Sequence, residues 1–286
     1  MKSMKSTIGI IGGVVLFFMS GLSLASSYIK DKLHHPVPGG IAVVSLGEHQ
    51  QSPSVHYRNK PVMVVANGNT SEYLAIVGIP LKSKSGQHQL QLKTSNRSQQ
   101  VPFQVQAKKY KEQHIKLQSN KYVTPSEEHL ARIKRELAAQ TNAYANFRPG
   151  SPSNVILDRP VEGGRYSSPF GLRRFFNGQE RNPHSGLDIA VPAGTPVKAP
   201  ADGVVTIVDD YYFNGKTVFI DHGQGMVTMY CHLSSIDVKK GQTIKRGEQL
   251  GKVGTTGRST GPHLHWNVSL NDTRVDPAIF VGAFQP

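Results

Sequence analysis

The sequence predicts a mainly β protein in which two β domains are joined by a helical linker. Three observations lead to this prediction. Short apolar runs separated by turn-forming residues recur over residues 41–106 and again from residue 166 onward. Only residues 126–140 have the composition and start signals of a helix. The 28 glycines and 18 prolines among 286 residues favour a loop-rich β protein over a helical bundle.

Residues 1–25 predict an export signal. Lys2 and Lys5 precede an uncharged stretch whose apolar centre, residues 8–18, is shorter than the roughly 20 residues that a membrane span needs. Ser23-Leu24-Ala25 then places small residues where signal peptidase recognises them. We expect cleavage after Ala25 and an exported chain. An uncleaved N-terminal anchor is the alternative, because the stretch approaches spanning length if it is counted up to Ala25.

Residues 36–107 predict a small N-terminal β-sandwich. A Pro-Val-Pro-Gly-Gly linker at 36–40 precedes it. Five β-like runs follow at residues 41–45, 62–65, 73–79, 89–92 and 101–105, and spacing of this kind fits a small antiparallel sandwich. The domain contains no catalytic cluster, and we expect its scattered His49, His56 and His88 to be solvated.

Residues 108–160 predict a linker that is helical in part and rich in Pro, Gly and Ser towards its end. Ser126 with Glu127 and Glu128 resembles a helix start, and residues 129–139 have helix-forming composition. Five lysines make the linker basic: Lys108, Lys109, Lys111, Lys116 and Lys121. A solvated helical linker explains this pattern better than a dedicated ligand patch.

Residues 161–286 predict an all-β domain with glycine turns, and five of the twelve histidines lie in it. His263 and His265 alternate with apolar residues in a predicted strand over 263–270, so both imidazoles share its polar face, about 7 Å apart. His184 lies on a predicted loop that enters a strand with Asp188. These residues form a candidate site.

A second predicted strand, over 226–233, brings another histidine. By alternation, Tyr230 and His232 share one face with Thr228, while Cys231 lies on the opposite core face, where we expect it to be packed rather than nucleophilic. Two independent strands would thus present polar, histidine-bearing faces. His222 is interpreted as a turn residue rather than a ligand.

Two histidines and one carboxylate are a ligand set suited to a catalytic zinc that keeps an open position for water. Such a metal lowers the pKa of its water and polarises a scissile carbonyl, and further histidines can orient the water or stabilise the oxyanion. A G-x-S-x-G match at 257–261 is excluded as a nucleophile elbow, because Pro262 and a strand follow it rather than a helix.

At these residues the sequence resembles the M23 (LytM/lysostaphin-like) zinc metallopeptidases, secreted enzymes that cut peptide bonds in bacterial peptidoglycan. The resemblance covers about residues 166–277. It rests on Ser168-Pro-Phe-Gly-Leu-Arg173, His184-Ser-Gly-Leu-Asp188, Asp202-Gly203, Asp221-His-Gly223, Tyr230-Cys-His232-Leu233 and Gly254-Thr-Thr-Gly-Arg-Ser-Thr-Gly-Pro-His263-Leu-His265-Trp266. The only departure noticed is Trp266, where Phe is commoner.

The resemblance implies that His184, Asp188 and His265 bind Zn²⁺, and that His232 and His263 flank the water and the developing oxyanion. It implies an antiparallel β LytM-type peptidase domain whose groove holds peptidoglycan stem peptides. The front half resembles the β-rich N-terminal domain of some Gram-negative members, which places the exported chain in the periplasm, or on the inner membrane if the anchor is retained.

We therefore expect a secreted zinc-dependent endopeptidase that hydrolyses peptide cross-links of peptidoglycan. The alternative is a catalytically silent LytM-type binding protein that activates cell-wall amidases, because some members of the family have lost zinc ligands. A further hypothesis is latency, in which the connector and the N-terminal β domain fold over the groove and block it.

The formal net charge of +14 is unevenly distributed. Residues 1–160 hold 20 basic and 8 acidic residues, whereas residues 161–286 hold 13 and 11. The charge therefore does not assist the chemistry of the second half. Export argues against nucleic acid as a partner, so we expect the basic half to hold the protein near the anionic cell envelope. The sequence identifies no protein partner.

Overall fold

The computed structural model describes residues 22–68, 70–95, 97–116, 125–150 and 155–285. The apolar centre of the predicted export signal and Lys121 of the basic linker lie outside these ranges. In the ranges described, neither helix has the length and apolar character needed to span a membrane.

The described chain is mainly β, as predicted. Its two α-helices are α1 (Leu22–Leu33) and α2 (Glu127–Ala145), and a 3₁₀ turn spans Pro277–Ile279. The strands are β1 (Ile41–Glu48), β2 (Ser54–Tyr57), β3 (Lys60–Pro61), β4 (Met63–Ala66), β5 (Glu72–Gly78), β6 (Gly86–Lys93), β7 (Ser98–Val105), β8 (Glu112–Ile115), β9 (Arg165–Ser168), β10 (Arg173–Phe176), β11 (Gln179–Glu180), β12 (Leu187–Ala190), β13 (Pro196–Lys198), β14 (Gly203–Tyr211), β15 (Gly215–Gly223), β16 (Met226–Ile236), β17 (Thr243–Ile244), β18 (Gln249–Val253), β19 (Leu264–Leu270) and β20 (Thr273–Val275).

The N-terminal strands form two antiparallel sheets that face each other. One has the order β1-β5-β4 and the other the order β3-β2-β6-β7. Apolar side chains from both sheets, among them Val44, Leu90 and Phe103, fill the space between them. The short strands β2 and β3 escaped prediction because runs of four and two residues carry almost no periodicity. His88 is half-buried and bonded to the Tyr57 hydroxyl, so the prediction that it is solvated is wrong.

The sheet β1-β5-β4 is buried on both faces. Ala42 and Val44 point into the sandwich, whereas Ile41, Val43 and Ile76 join the main core of the C-terminal domain. This arrangement explains why β1 reads Ile-Ala-Val-Val with no polar residue in alternation, as expected for a strand covered on both sides. The two halves of the chain therefore share one continuous core.

Two side-chain amides attach this sheet to the C-terminal domain by mimicking a neighbouring strand. Asn271 accepts from the Gly78 N–H at 2.7 Å and donates to the Gly78 carbonyl at 3.0 Å. Gln224 does the same for Val64, at 2.9 and 3.1 Å. Both amides lie on hairpin turns with positive φ, +41° for Asn271 and +46° for Gln224.

The described linker is largely exposed, in line with the prediction of a solvated helical linker, but one face of its helix packs on the C-terminal domain, which the prediction did not include. Its helix is confirmed but runs to Ala145, five residues beyond the predicted end at residue 140, and buries Tyr144 against the C-terminal sheet. Strand β8, which was not predicted, pairs in parallel with β10. Tyr110 packs on Gly171, where a Cβ would lie 2.1 Å from its ring.

The C-terminal strands form one large sheet with the main order β17-β14-β15-β16-β19-β12-β9. β16, β19 and β12 are neighbours in it, all antiparallel. β16 contains His232, and β19 contains His265 and directly follows His263. His184 lies in the loop that leads into β12. The pairing therefore brings together residues that lie up to 81 positions apart in the sequence.

Candidate metal centre

His184, Asp188 and His265 meet at one point of the sheet. Asp188 on β12 is paired in register with His265 on β19. His184 precedes β12, and its backbone is held by bonds to Gly171 and Leu172. Asp188 Oδ1 lies 3.0 Å from His184 Nε2 and 2.7 Å from His265 Nδ1, and the two ring nitrogens are 3.0 Å apart.

The surroundings of His184 fix its tautomer. Its Nδ1 lies 2.8 Å from the Pro169 carbonyl, which can only accept, so Nδ1 carries the ring proton. Nε2 of the neutral ring is left with a lone pair directed at Asp188 and His265. His184 is almost fully buried, and burial lowers its pKa, which keeps the ring neutral.

Asp188 is held ionised by the same geometry. Burial acts to raise the pKa of its carboxyl, but in the metal-free chain the charge and hydrogen bonds of His184 and His265, when these rings carry a proton towards it, outweigh burial and hold that pKa well below its usual range. The outer oxygen, Oδ2, receives an N–H from Arg174 at 3.4 Å, and Arg174 also donates to the Ser168 hydroxyl at 3.1 Å. Arg174 thus orients the carboxylate so that Oδ1 faces the two histidines.

These three side chains fit a divalent metal. A carboxylate oxygen and two imidazole nitrogens, one with a fixed lone pair, converge within hydrogen-bond distance of one another, an arrangement that a shared cation stabilises. Three N/O ligands with outer-shell partners are the set used by catalytic zinc sites that keep an open position. His184, Asp188 and His265 are therefore the residues that could hold the metal.

His232 and His263 lie beside this triad. Their ring centroids are 4.8 Å apart, and His263 Nε2 is 4.0 Å from Asp188 Oδ1. Each donates its Nδ1–H to a carbonyl at 2.8 Å, His232 to Thr256 and His263 to Gly261. Nε2 is therefore the nitrogen of each ring that is left to exchange a proton. Burial, followed by the neighbouring histidines, lowers the pKa of His232 to about 3.

The strand face predicted for His232 is wrong, although its ring lies beside those of His263 and His265. Register pairs Cys231 with His265 and Tyr230 with Trp266, so the face of Tyr230 is the main core. Strict alternation would bury His232 there as well. Its φ of +62° breaks the alternation and turns the imidazole towards His263 and His265. A left-handed histidine leaves no signature in the sequence.

His222 is also placed differently from the prediction. It is not a turn residue but a fully buried residue at the end of β15, bonded to the Asp202 carbonyl and the Thr228 hydroxyl. Cys231 is buried, as predicted. The loop after Ser259 leads into β19 and not into a helix, in line with the exclusion of a nucleophile elbow.

Sequence reasoning missed the residues that orient the histidines. Thr256 and Gly261 act through backbone carbonyls, which any residue supplies, so no residue type could reveal them. Arg174 directly follows Arg173, the last residue of the Ser168–Arg173 motif. Its contact with Asp188 is formed only in the fold, because the two residues are fourteen positions apart in the sequence.

Comparison with known proteins gives two family matches. Peptidase family M23 matches residues 182–277, and the peptidase family M23 N-terminal domain matches residues 34–108. A crystal structure of a putative peptidase M23 from Pseudomonas aeruginosa is 53% identical to this chain, with a TM-score of 0.78. The similarity covers 90% of this chain and 100% of that one.

Curated relatives are similar over a shorter part. Peptidoglycan DD-endopeptidase ShyA of Vibrio cholerae serotype O1 is 48% identical over 139 residues, which is 48% of this chain and 32% of that protein. DD-carboxypeptidase/endopeptidase Mpg of Neisseria meningitidis serogroup B is 44% identical over 118 residues, or 41% of this chain and 27% of that protein. The aligned region thus spans about a third or less of these relatives.

Proposed function

The chain belongs to peptidase family M23, and from this we propose that it is a secreted, zinc-dependent endopeptidase that hydrolyses peptide cross-links of peptidoglycan. The observation that carries the proposal is the convergence of five side chains. His184, Asp188 and His265 offer three metal-binding atoms, and His232 and His263 place two imidazole rings beside them, each held by its Nδ1–H on a backbone carbonyl. Relatives named as peptidoglycan DD-endopeptidases support the choice of substrate.

The metal would be held by His184 Nε2, Asp188 Oδ1 and His265 Nδ1. A bound Zn²⁺ supplies a Lewis acid for the scissile carbonyl and lowers the pKa of a water molecule. The chain keeps these ligands ready: the Pro169 carbonyl fixes the His184 tautomer, and Arg174 fixes the carboxylate. Such outer-shell contacts prevent the ligand side chains from rotating away.

His232 and His263 are the groups suited to moving protons. With Nδ1–H fixed on a carbonyl, each ring can take up or release a proton only at Nε2. A ring that has taken a proton from the attacking water can pass it to the leaving amine or hold it next to the developing oxyanion. The positive φ of His232 matters here, because it is what brings the second ring to the site.

We place the protein in the periplasm of a Gram-negative envelope. The basic N-terminal half would favour binding to anionic envelope components, and such binding weakens with salt because exposed charges are screened. Hydrolysis of a small soluble peptide should depend far less on salt, since the C-terminal half is nearly neutral. Comparing sacculus binding and peptide hydrolysis at low and high salt separates the two roles.

The central test is digestion of purified sacculi by the full-length protein, with the released fragments identified by mass spectrometry. We expect peptides cut within cross-links, bound zinc in the purified protein, and loss of both zinc and hydrolysis in His184→Ala. A folded, zinc-free protein that releases no fragments would overturn the proposal. If that protein stimulated an amidase instead, the amidase-activator alternative would replace it.

A further inference from the structure

Helix α2 lies in neither segment that matches a family domain, yet it contacts the C-terminal domain along its whole length. Its contacts recur every fourth residue, which places them on one face of the helix. The four contacts are Arg132 Nη2 to the Asp210 carbonyl at 2.6 Å, the Tyr212 N–H to Glu136 Oε2 at 2.8 Å, Asn214 Nδ2 to Gln140 Oε1 at 3.1 Å, and the Tyr144 hydroxyl to Met229 Sδ at 3.3 Å.

One of these contacts leads directly to His232. The carbonyl of Asn214 accepts the backbone N–H of His232 at 2.8 Å. The left-handed backbone of His232, with φ of +62°, is strained for a residue that has a Cβ, so it persists only where neighbouring groups hold it. The Asn214 carbonyl restrains the His232 N–H by this hydrogen bond, and Gln140 in turn fixes the Asn214 side chain.

The end of the helix is anchored next to the metal ligands. Asn267 donates to the Tyr144 hydroxyl at 3.3 Å and to the Ser185 hydroxyl at 3.2 Å. Asn267 lies two residues after the ligand His265, and Ser185 is adjacent to the ligand His184. Tyr144 is buried and also carries the Arg274 guanidinium over its ring at 4.2 Å. These contacts fix the register of α2 on the sheet and so the position of Gln140.

We propose that α2 is a brace of the active site, and that Gln140 is a positioning residue which holds His232 in its left-handed conformation through Asn214. The expected effect on kcat rests on the proposed function, whereas the restraint on the His232 backbone does not depend on it. It also opposes the latency hypothesis: weakening a brace lowers activity, whereas weakening an inhibitory connector raises it.

The test uses the full-length protein with three substitutions in α2. Gln140→Leu removes the acceptor and leaves Asn214 Nδ2 only the distant Met229 sulfur at 3.7 Å. Gln140→Glu keeps an acceptor oxygen at the same place. Asn142→Leu makes the same amide-to-leucine change on an exposed position of the helix and serves as the matched control.

We expect Gln140→Leu to lower kcat roughly tenfold, with KM and bound zinc unchanged, because only the proton-moving ring is displaced. Gln140→Glu should restore kcat, and Asn142→Leu should leave it native. Native kcat in Gln140→Leu, an equal loss in either of the other variants, or loss of zinc would overturn the proposal. A rise in kcat would support latency instead.

A second readout is independent of catalysis. Amide hydrogen exchange at His232 should be faster in Gln140→Leu than in the native protein, and native in Gln140→Glu and Asn142→Leu. If no form of the protein hydrolysed peptidoglycan, the proposed function would fail. The exchange data would still show whether α2 holds His232 in place. Equal exchange at His232 in all four proteins would refute it.

Discussion

The two ends of strand β19 show how differently one sheet can be used. At its C-terminal end, Leu270 packs in the shared core and Asn271 makes paired bonds to the backbone of Gly78. At its N-terminal end, His263 and His265 keep part of their surface exposed and contribute ring nitrogens to the site. The two ends are about 20 Å apart by the rise of a strand.

The difference separates stability from reactivity. The docking end is defined here as Gly78, Gln224 and Asn271 with the apolar residues around them. It satisfies the backbone N–H and carbonyl groups of Gly78 and Val64 by reciprocal bonds. The catalytic end brings acceptor atoms close together and leaves them to be balanced by a cation. Substitutions at the docking end should therefore change unfolding, and substitutions at the catalytic end should change metal binding and rate.

The largest effect expected on the stability side comes from acid. Burial lowers the pKa of His222, near the docking end, to about 4, with Asp221, Arg148 and Arg246 as the charged groups around it. Between pH 6.5 and 4 the unfolded chain binds a proton that the folded chain does not, so stability falls as the pH falls, by up to about 3 kcal/mol. Urea unfolding at several pH values measures this slope.

His222→Gln keeps a hydrogen-bonding side chain and removes the titration. Between pH 6.5 and 4, its free energy of unfolding should depend less on pH than that of the native protein. The other histidines are present in both proteins, so their contribution cancels when the two slopes are subtracted. An unchanged slope in His222→Gln would show that acid destabilises the protein through other groups, which include those of the catalytic end. Stability and reactivity would then not be confined to opposite ends of β19.

The next largest effect is expected from Asn271→Ala. It leaves the buried N–H and carbonyl of Gly78 without partners, and it puts alanine at a positive φ that asparagine tolerates better. The loss of stability should be about 2–3 kcal/mol, measured by urea unfolding, with kcat and zinc content native in the folded fraction. A fall in kcat at full folding would mean that the docking end communicates with the site.

How far the sequence predicted each end follows from the kind of interaction there. A candidate metal site was predictable because the histidines and Asp188 carry their chemistry in their side chains and because strand alternation places His263 and His265 on one face. The mainly β fold was predictable from short alternating runs. Spacing by itself left the roles open, and the resemblance to a known family then implied them: His184, Asp188 and His265 as metal ligands, and His232 and His263 as the flanking pair.

What could not be predicted depends on backbone conformation and on contacts between distant segments. The left-handed φ of His232, the strand-like amides of Asn271 and Gln224, and the packing of α2 arise only when the sheet is assembled. Asparagine, glutamine and a helix with a polar face have many other uses in proteins. The linker was therefore interpreted only as solvated, although four side chains on one face of its helix bind the C-terminal domain.

At the catalytic end, Arg174→Met tests the outer shell of the metal site. Methionine retains the length of the side chain but not the N–H that holds Asp188 Oδ2, so the carboxylate can turn away from the two histidines. Zinc affinity should fall about 10–100-fold, measured by competition with a chelator, while stability of the metal-free protein changes little. Unchanged affinity would show that His184 and His265 alone orient Asp188.

The smallest effect is expected at the rim of the docking end, where Lys60 and Asp272 form an ion pair of 2.9 Å with half of the Lys60 side chain exposed. Water and salt screen such a pair, so Lys60→Met should cost less than about 1 kcal/mol and leave kcat native. Comparing the stability costs of Lys60→Met and Asn271→Ala shows which kind of interaction joins the two domains. A cost for Lys60→Met equal to that of Asn271→Ala would mean that charge, and not the buried amide bonds and the shared core, holds the N-terminal sheet in place.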